Sequence, residues 1–520
     1  MDSANVGYSY HLPTGGWNYK IRNTLSQFSD LFSEFNKYIA PAYHHDRCER
    51  SVQMRIYSMH KGEFVMVFIA FFACFGLGVF IGLAGPSPTM TTSIAASTLL
   101  SNASTIYEGP FHLRSPALGT RAQQLWLLAE ILTNDDDEEI FDKSFQVSIS
   151  IDGVLSDHTL CLTLNFFRTQ HLKCKKQVCE QVMILHLGAL EYKHYVLNVR
   201  FYDLKEFHKR YLMKEVVFYF KTYNPAFTQM ETWFRFIFLM TTFTVACWFA
   251  HTLRKYSTHD WAIEQKWLSL LLPLLLLYND PLFPLRLVSS SCFAPLMDTV
   301  FQTTFFACVL LSWLAQYHGL RQNERGFISF YLFKVIVVGL VWTPAMIITV
   351  WQKYYAFYDP TFNYMMNPNY PVIMFFSAVV LYFLYLLVLI IKAYSDLRNM
   401  PFFDVRLRCL SLGLGAALAL GGAALRGGWG AAALQDHWAA AAPPPATSAP
   451  FMALYGLCNA YLYMLAYLYA PAASAHDTTI TKDNPAFSMI NDSDEEVIYG
   501  SDEESRRPLN SHHRINNEEI

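Results

Sequence analysis

The sequence predicts an α-helical polytopic membrane protein of eight transmembrane helices, a signal anchor plus a seven-helix bundle, with a lumenal all-β sandwich between the first and second helices. Three observations carry this. Of 520 residues, 53% are hydrophobic and 16% are charged, with a mean hydropathy of +0.19, against about 25% charged in soluble domains. Eight apolar runs are long enough to cross a bilayer. Between the first two lies a stretch of alternating strands.

Residues 1–63 are polar and aromatic with no long apolar run, and read as a cytosolic N-terminal segment. The first run, FVMVFIAFFACFGLGVFIGL at 64–83, has the ~20 residues needed to span a ~30 Å hydrocarbon core. A cleaved signal peptide is the alternative, with Ala84-Gly85 as its cleavage site. This run is longer than the usual ~7–15 residues and starts far into the chain, which favours a retained anchor.

The texture then changes. QLWLLAEIL (124–132), FQVSISI (145–151), HTLCLTLNFF (158–167), VMILHL (182–187), HYVLNVRFY (194–202) and EVVFYFKTY (215–223) alternate and are rich in β-branched and aromatic residues. Turn signals such as Asp152-Gly153 separate them, the pattern of an antiparallel sandwich over 86–230. Within it, Cys174 and Cys179 flank the short basic turn CKKQVC. An oxidising lumen would join them, with Cys161 left over or competing. The acidic run 134–139 lacks the ligand alternation and turn glycine of a calcium loop and reads as a solvated hairpin tip.

Seven further spans are read at 233–253, 267–288, 295–316, 327–351, 370–392, 405–425 and 451–470. The seventh of the eight is rich in Ala and Gly and inserts with less energy; the Ala/Pro-rich segment after it is low in complexity. Under this topology the loops 254–266, 317–326 and 392–408 carry nine Lys and Arg, and the opposite side carries three. The bias predicts both termini in the cytosol. Asn102 then heads a usable glycosylation sequon, whereas the Asn491 sequon stays bare.

Polar residues inside apolar runs mark the candidate site. LLPLLLLYNDPLFPL (271–285) carries Asn279, Asp280, Pro281 and Pro284. Asp280 lies about 20 Å along a helix begun at Trp267. A carboxylate at that depth costs about 2.5–3.5 kcal/mol on insertion scales, which predicts that it faces a polar cavity. The alternative is a helix that ends at Tyr278, with the loop starting there. Arg235, Asp298, Gln302 and Arg286 share the depth, so that either a charge cluster forms or Arg235 snorkels to water. Lys334, nearer the inner end, is expected to snorkel.

The tail 471–520 is acidic and is expected to be disordered. Ser493 and Ser501 each precede three acidic residues, a setting for acidophilic kinases. Asn484-Pro485-Ala486-Phe487 would form a turn that displays Phe487 to a trafficking adaptor.

MRIYSMHKGEF (54–64), KTYNPAF (221–227), LRKYSTHDWAIEQKWLSLLLPLLLLYNDPLFPL (253–285) and KDNPAFSMINDSDEEVIYGSD (482–502) resemble the transmembrane protein 181 family. The resemblance implies a lumenal GOLD-like β-domain and a Wntless-like, GPCR-like seven-helix bundle. It implies a receptor or a trafficking and cargo-escort role, without supplying a ligand. Residues 1–53 and 411–450 depart from the likeness.

No HExxH, GxSxG or phosphate-binding loop is present, which argues against an enzyme. No Cys/His set has zinc spacing, so no metal or other cofactor is expected. The expected partners are membrane lipid, a lumenal or extracellular protein or lipidated ligand, and cytosolic trafficking adaptors, with no nucleic acid. An orphan G-protein-coupled receptor is the first rival, although QYHGLR stands where such receptors carry a Glu/Asp-Arg-Tyr triad. A secondary transporter using Asp280 and Asp298 is the second, and would show internal repeats that the bundle lacks.

Overall fold

The computed structural model describes residues 52–99, 106–134, 141–154, 160–175, 178–289, 291–321, 327–360, 369–397, 401–426 and 447–472. The expectations for residues 1–51, Asn102, the Ala/Pro-rich connection at 427–446, the acidic tip at 135–139, and Asn484, Pro485, Phe487, Asn491, Ser493 and Ser501 lie outside them.

Among the described residues, eight helices are long and apolar enough to cross a membrane. We label them α1 (Lys61–Ala84), α2 (Pro225–Leu253), α3 (Ile263–Tyr278), α4 (Phe293–Gly319), α5 (Leu332–Tyr358), α6 (Asn369–Leu397), α7 (Pro401–Arg426) and α8 (Ala449–Tyr469). Helix α1 buries only Phe71 and Gly82, as expected of a helix that faces lipid over most of its surface. It crosses α8 closely. A Cβ on Gly82 would stand 2.6 Å from Ala449 Cα, so only glycine lets the two backbones approach. Ser448 Oγ donates to Gly82 O at 3.0 Å and ties the crossing.

Among the described residues, nine antiparallel strands form the domain between α1 and α2: β1 (Thr89–Ala95), β2 (Phe111–Arg114), β3 (Leu125–Thr133), β4 (Phe141–Val154), β5 (Leu160–Lys175), β6 (Val178–Cys179), β7 (Val182–Leu187), β8 (His194–Tyr202) and β9 (Met213–Tyr223). The path runs β1-β9-β3-β6-β5-β4-β8-β2, with β7 also on β3. The two-residue β6 joins one layer, β1-β9-β3-β7, to the other, β5-β4-β8-β2. Every second residue points inward. Leu125, Leu127, Ala129 and Ile131 of β3 thus share a core with Phe145, Val147 and Ile149 of β4 and with Val216, Phe218 and Phe220 of β9. Phe218 closes the layers, with its ring 5.1 Å from that of Phe111 and 6.2 Å from that of Phe201. Cys174 and Cys179 stand opposite each other on β5 and β6 and form a disulfide.

The outer face of β3 is also buried, because the helical bundle covers it. Trp126 and Tyr223 belong to the bundle's core. Trp126 stacks on His186 at 5.3 Å, and His186 donates its backbone N–H to Pro360 O at 2.7 Å. Arg168 pairs with Asp359 at 2.6 Å, and Gln123 Nε2 donates to Thr228 Oγ1 at 3.0 Å. Between β9 and α2 there is one residue, Asn224. Its Oδ1 accepts from Ala226 N at 3.0 Å, and Pro225, which has no N–H to satisfy, opens the helix. With no linker at this joint, the β-domain is seated on the bundle rather than tethered to it.

At the opposite end the chain flanking α1 meets the exit of α8. Arg55 N donates to Ala470 O at 2.8 Å, Ala472 N to Gln53 O at 2.9 Å, and Val52 N to Asp260 O at 2.8 Å. Lys334 departs from its expected snorkelling. It is 1% exposed, donates to Phe330 O and lies 3.5 Å from the centroid of the Phe330 ring. A π-turn over Phe327–Tyr331 supplies both the carbonyl and the ring, a local partner that removes the need to reach water.

Lys221 is buried beneath the seated face of β9, and burial lowers its pKa to about 8. The unfolded chain holds that proton up to about 10.4. Between these values the native state has released the proton and the unfolded state has not, so stability rises with pH across the window. Thermal melting of the detergent-solubilised chain between about pH 7 and 10 is expected to show this rise, and Lys221→Met to flatten it. An unchanged slope in the variant would place the linkage elsewhere.

Candidate functional site

The polar site is built where α3 breaks. Helix α3 ends at Tyr278, as one of the two sequence readings has it, but the chain does not leave the bundle: Asn279 is 0% and Asp280 4% exposed. Asp280 takes a left-handed φ of +55°, a conformation that Asp tolerates better than most residues. Its backbone N–H bonds Leu277 O at 3.0 Å, and its Oδ1 accepts from Leu282 N at 3.1 Å. This turn leads into a short helix, Phe283–Val288, with Pro284 in its first turn. Pro281 sits in the reversal itself. The prolines therefore stand where the chain turns, and the donors around them are satisfied by Asp280 and the ends of α3.

Arg235 of α2 is the centre of the site. Its Nε and Nη2 donate to Glu231 Oε1 at 3.0 and 2.8 Å, a one-turn pair along the helix. Nη1 reaches Asp280 Oδ2 at 3.5 Å and Asp298 Oδ1 at 4.0 Å. Asp298 accepts from Gln302 Nε2 at 2.7 Å, and the same amide nitrogen lies 3.2 Å from Tyr455 OH on α8. Aromatic faces surround the guanidinium, with Phe283 at 4.6 Å and Tyr455 at 4.8 Å from its carbon. The Asp280 side chain is 2% exposed, Arg235 8%, Glu231 10% and Asp298 14%, so the charges are enclosed with Asp298 nearest to water.

A second, uncharged layer lies deeper. Asn279 and Asn459 exchange amide hydrogen bonds at 2.9 and 3.0 Å across α3 and α8. Thr242 Oγ1 donates to Asn459 Oδ1 at 3.0 Å and accepts from Asn279 Nδ2 at 3.0 Å. Tyr463 OH lies 2.7 Å from the Thr242 hydroxyl and donates to Asn459 Oδ1 at 3.1 Å. At the inner end a separate buried pair joins α7 to α3: Arg406 donates to Glu264 from Nε at 3.0 Å and from Nη2 at 2.7 Å. Reading Arg406 as a loop charge missed this, since the pair is 2% and 3% exposed.

Asn279, Asp280, Arg235, Asp298 and Gln302 thus come together from α2, α3 and α4, and Arg286 lies within electrostatic range of Asp280. Glu231, Thr242, Tyr455, Asn459 and Tyr463 were not foreseen. Glu231 stands four residues before Arg235, and Asn459 is the one carboxamide in the apolar run 451–470. Both signals were readable. Among the described residues no group of three or more His, Cys, Asp and Glu is placed to hold a metal ion.

Magnitudes separate the two layers. Removing one partner of a buried ionic cluster costs about 3–5 kcal/mol. Hydrogen bonds between membrane helices average about 0.6 kcal/mol in double-mutant cycles. Arg235→Met is therefore expected to lower the unfolding temperature of the nanodisc-embedded chain by several times the drop caused by Asn459→Leu. Equal drops would mean that Arg235 is not the main tie.

The chain can now be set beside known proteins. Residues 109–223 match the family described as TMEM181, GOLD domain, and residues 224–473 the family described as Wntless-like, transmembrane domain. Human Transmembrane protein 181 is 43% identical over 458 residues, covering 87% of this chain and 94% of the human protein. Extending across both the strand domain and the charged bundle, that identity makes the chain a multi-pass membrane protein belonging to the transmembrane protein 181 family.

Proposed function

We propose that the chain is a non-enzymatic receptor or cargo escort of the secretory and endosomal system, whose β-domain engages a lumenal or extracellular protein or a lipid-bearing ligand. The observation that carries this reading is the seating of the β-domain. β9 runs through one residue into α2, and α2 carries Arg235. A partner that shifts the β-domain therefore acts directly on the helix at the centre of the outer polar site. Asn279, Asp280, Asp298, Gln302 and Arg235, enclosed beneath the β-domain, would set the position of the helix ends that such a partner acts on, with Pro281 and Pro284 at the turn between them.

In this reading both termini are cytosolic, in keeping with the Lys and Arg distribution, and Asn102 carries sugar. The acidic tail would recruit trafficking adaptors through Phe487, with phosphate on Ser493 and Ser501 adding charge for a basic adaptor surface.

Proximity labelling from the β-domain, run on wild type, on Asp280→Ala and on a chain ending at 472, tests the proposal. Tail truncation is expected to redistribute the protein among Golgi, endosome and plasma membrane, and Asp280→Ala to change the partners labelled. Unchanged distribution and partners in both variants would overturn the escort reading, and sugar on Asn491 with none on Asn102 would invert the topology.

A further inference from the structure

The two ends of the strand path, β1 and β2, are sheet edges, and they are built differently. β2 is defended. It is four residues long, exposes His112 and Arg114, and runs on into Ser115-Pro116. Short length, charge and proline are the devices that keep an edge from pairing with another chain. β1 has none of them. It holds seven residues, TMTTSIA, without a charged side chain or a proline. Its register against β9 is unbroken, from Thr89 beside Tyr223 to Ala95 beside Val217. Thr91, Thr92 and Ser93 are exposed, and their side chains are small enough to leave the backbone approachable.

The ladder fixes which backbone groups β9 leaves unused. Asn224 N donates to Pro88 O at 2.9 Å. Hydrogen-bonded pairs alternate along an antiparallel ladder, so Met90, Thr92 and Ile94 bond β9, while Thr91 and Ser93 turn their N–H and C=O away from it. Side chains alternate as well. Ile94 packs on the sandwich core, and Met90, on the same face, is left 49% exposed. A strand added here would bond Thr91 and Ser93 and cover Met90.

We propose that the outer edge of β1 docks an extended segment of a lumenal or extracellular protein as an added strand, with apolar side chains at alternate positions lying beside Met90 and Ile94. Recognition runs from backbone to backbone, so it selects an extended conformation and alternation and tolerates varied sequence. Residues 85–88 alone separate β1 from α1, which holds the edge close to the outer end of the bundle. Its neighbour β9 runs into α2, so the docked strand acts on the helix that carries Arg235. This deepens the receptor reading, on which it rests, by naming the surface and the kind of partner.

A benzophenone photocrosslinker placed at Met90 of the full chain in cells, with His112 on the defended edge as the control position, tests it, the adducts being mapped to single residues by mass spectrometry. Met90 is expected to give adducts on segments of another protein that alternate apolar and polar residues, well above the yield at His112. Ser93→Pro removes an outward N–H and spares the bonds to β9, and is expected to lower that yield about tenfold, the worth of a lost hydrogen bond. Thr91→Lys sets a charge on the edge and is expected to give the same loss if the proline chain misfolds. A Met90 yield no higher than that at His112, adducts confined to lipid or to a second copy of this chain, or a yield unchanged in both variants would each overturn the proposal. Proximity labelling from the β-domain tells the two readings apart: partners still labelled while Met90 gives no adduct sink the edge alone, and loss of both sinks the receptor reading with it.

Discussion

A guanidinium that cannot reach water organises the outer half of this bundle. In a bilayer core, an unpaired Arg235 would have to snorkel or draw water in. Here Glu231, Asp280 and Asp298 supply the countercharge from α2, the α3–α4 connection and α4. Phe283, Phe451 and Tyr455 supply aromatic faces. Each of these groups is held by another feature: Asp280 by the reversal after α3, Asp298 by Gln302, and Tyr455 by its place on α8. The position of four spans at the outer end thus follows from one cation.

The same constraint explains why the β-domain is not a loose appendage. Arg235 lies about three turns into α2, and α2 begins one residue after β9. Trp126, His186 and Tyr223 cover the bundle's outer end with an aromatic cluster, and hydrogen bonds from Gln123 and His186 fix its register. Apolar cover over the site keeps the local dielectric low, which strengthens the ion pairs and sharpens their dependence on charge balance.

The spans and the strand domain were legible in the sequence because both rest on periodicity, and a 20-residue apolar run or an alternating strand leaves little choice. The polar site was half legible. Asp280 and Arg235 stand out because ionisable residues are rare at membrane depth, and pairing them required only a shared depth. Thr242 and Tyr463 did not stand out, since single hydroxyls are common in spans and the two lie 221 residues apart. Lys334 was misread for a related reason. Its partner is a backbone carbonyl exposed by a π-turn, and no residue pattern announced that turn. The seating of β3 on the bundle was equally hidden: an apolar outer face such as Trp126 and Leu128 reads the same whether it meets a second sheet or a membrane domain.

If Arg235 and Asp280 hold the outer end together, their contributions must be coupled. A double-mutant cycle of Arg235→Met and Asp280→Asn, read as unfolding free energy of the nanodisc-embedded chain, measures that directly. The account requires a coupling of about 1–3 kcal/mol between the two positions. Additivity to within about 0.5 kcal/mol would show that the two charges are satisfied independently, and the central tie would not exist.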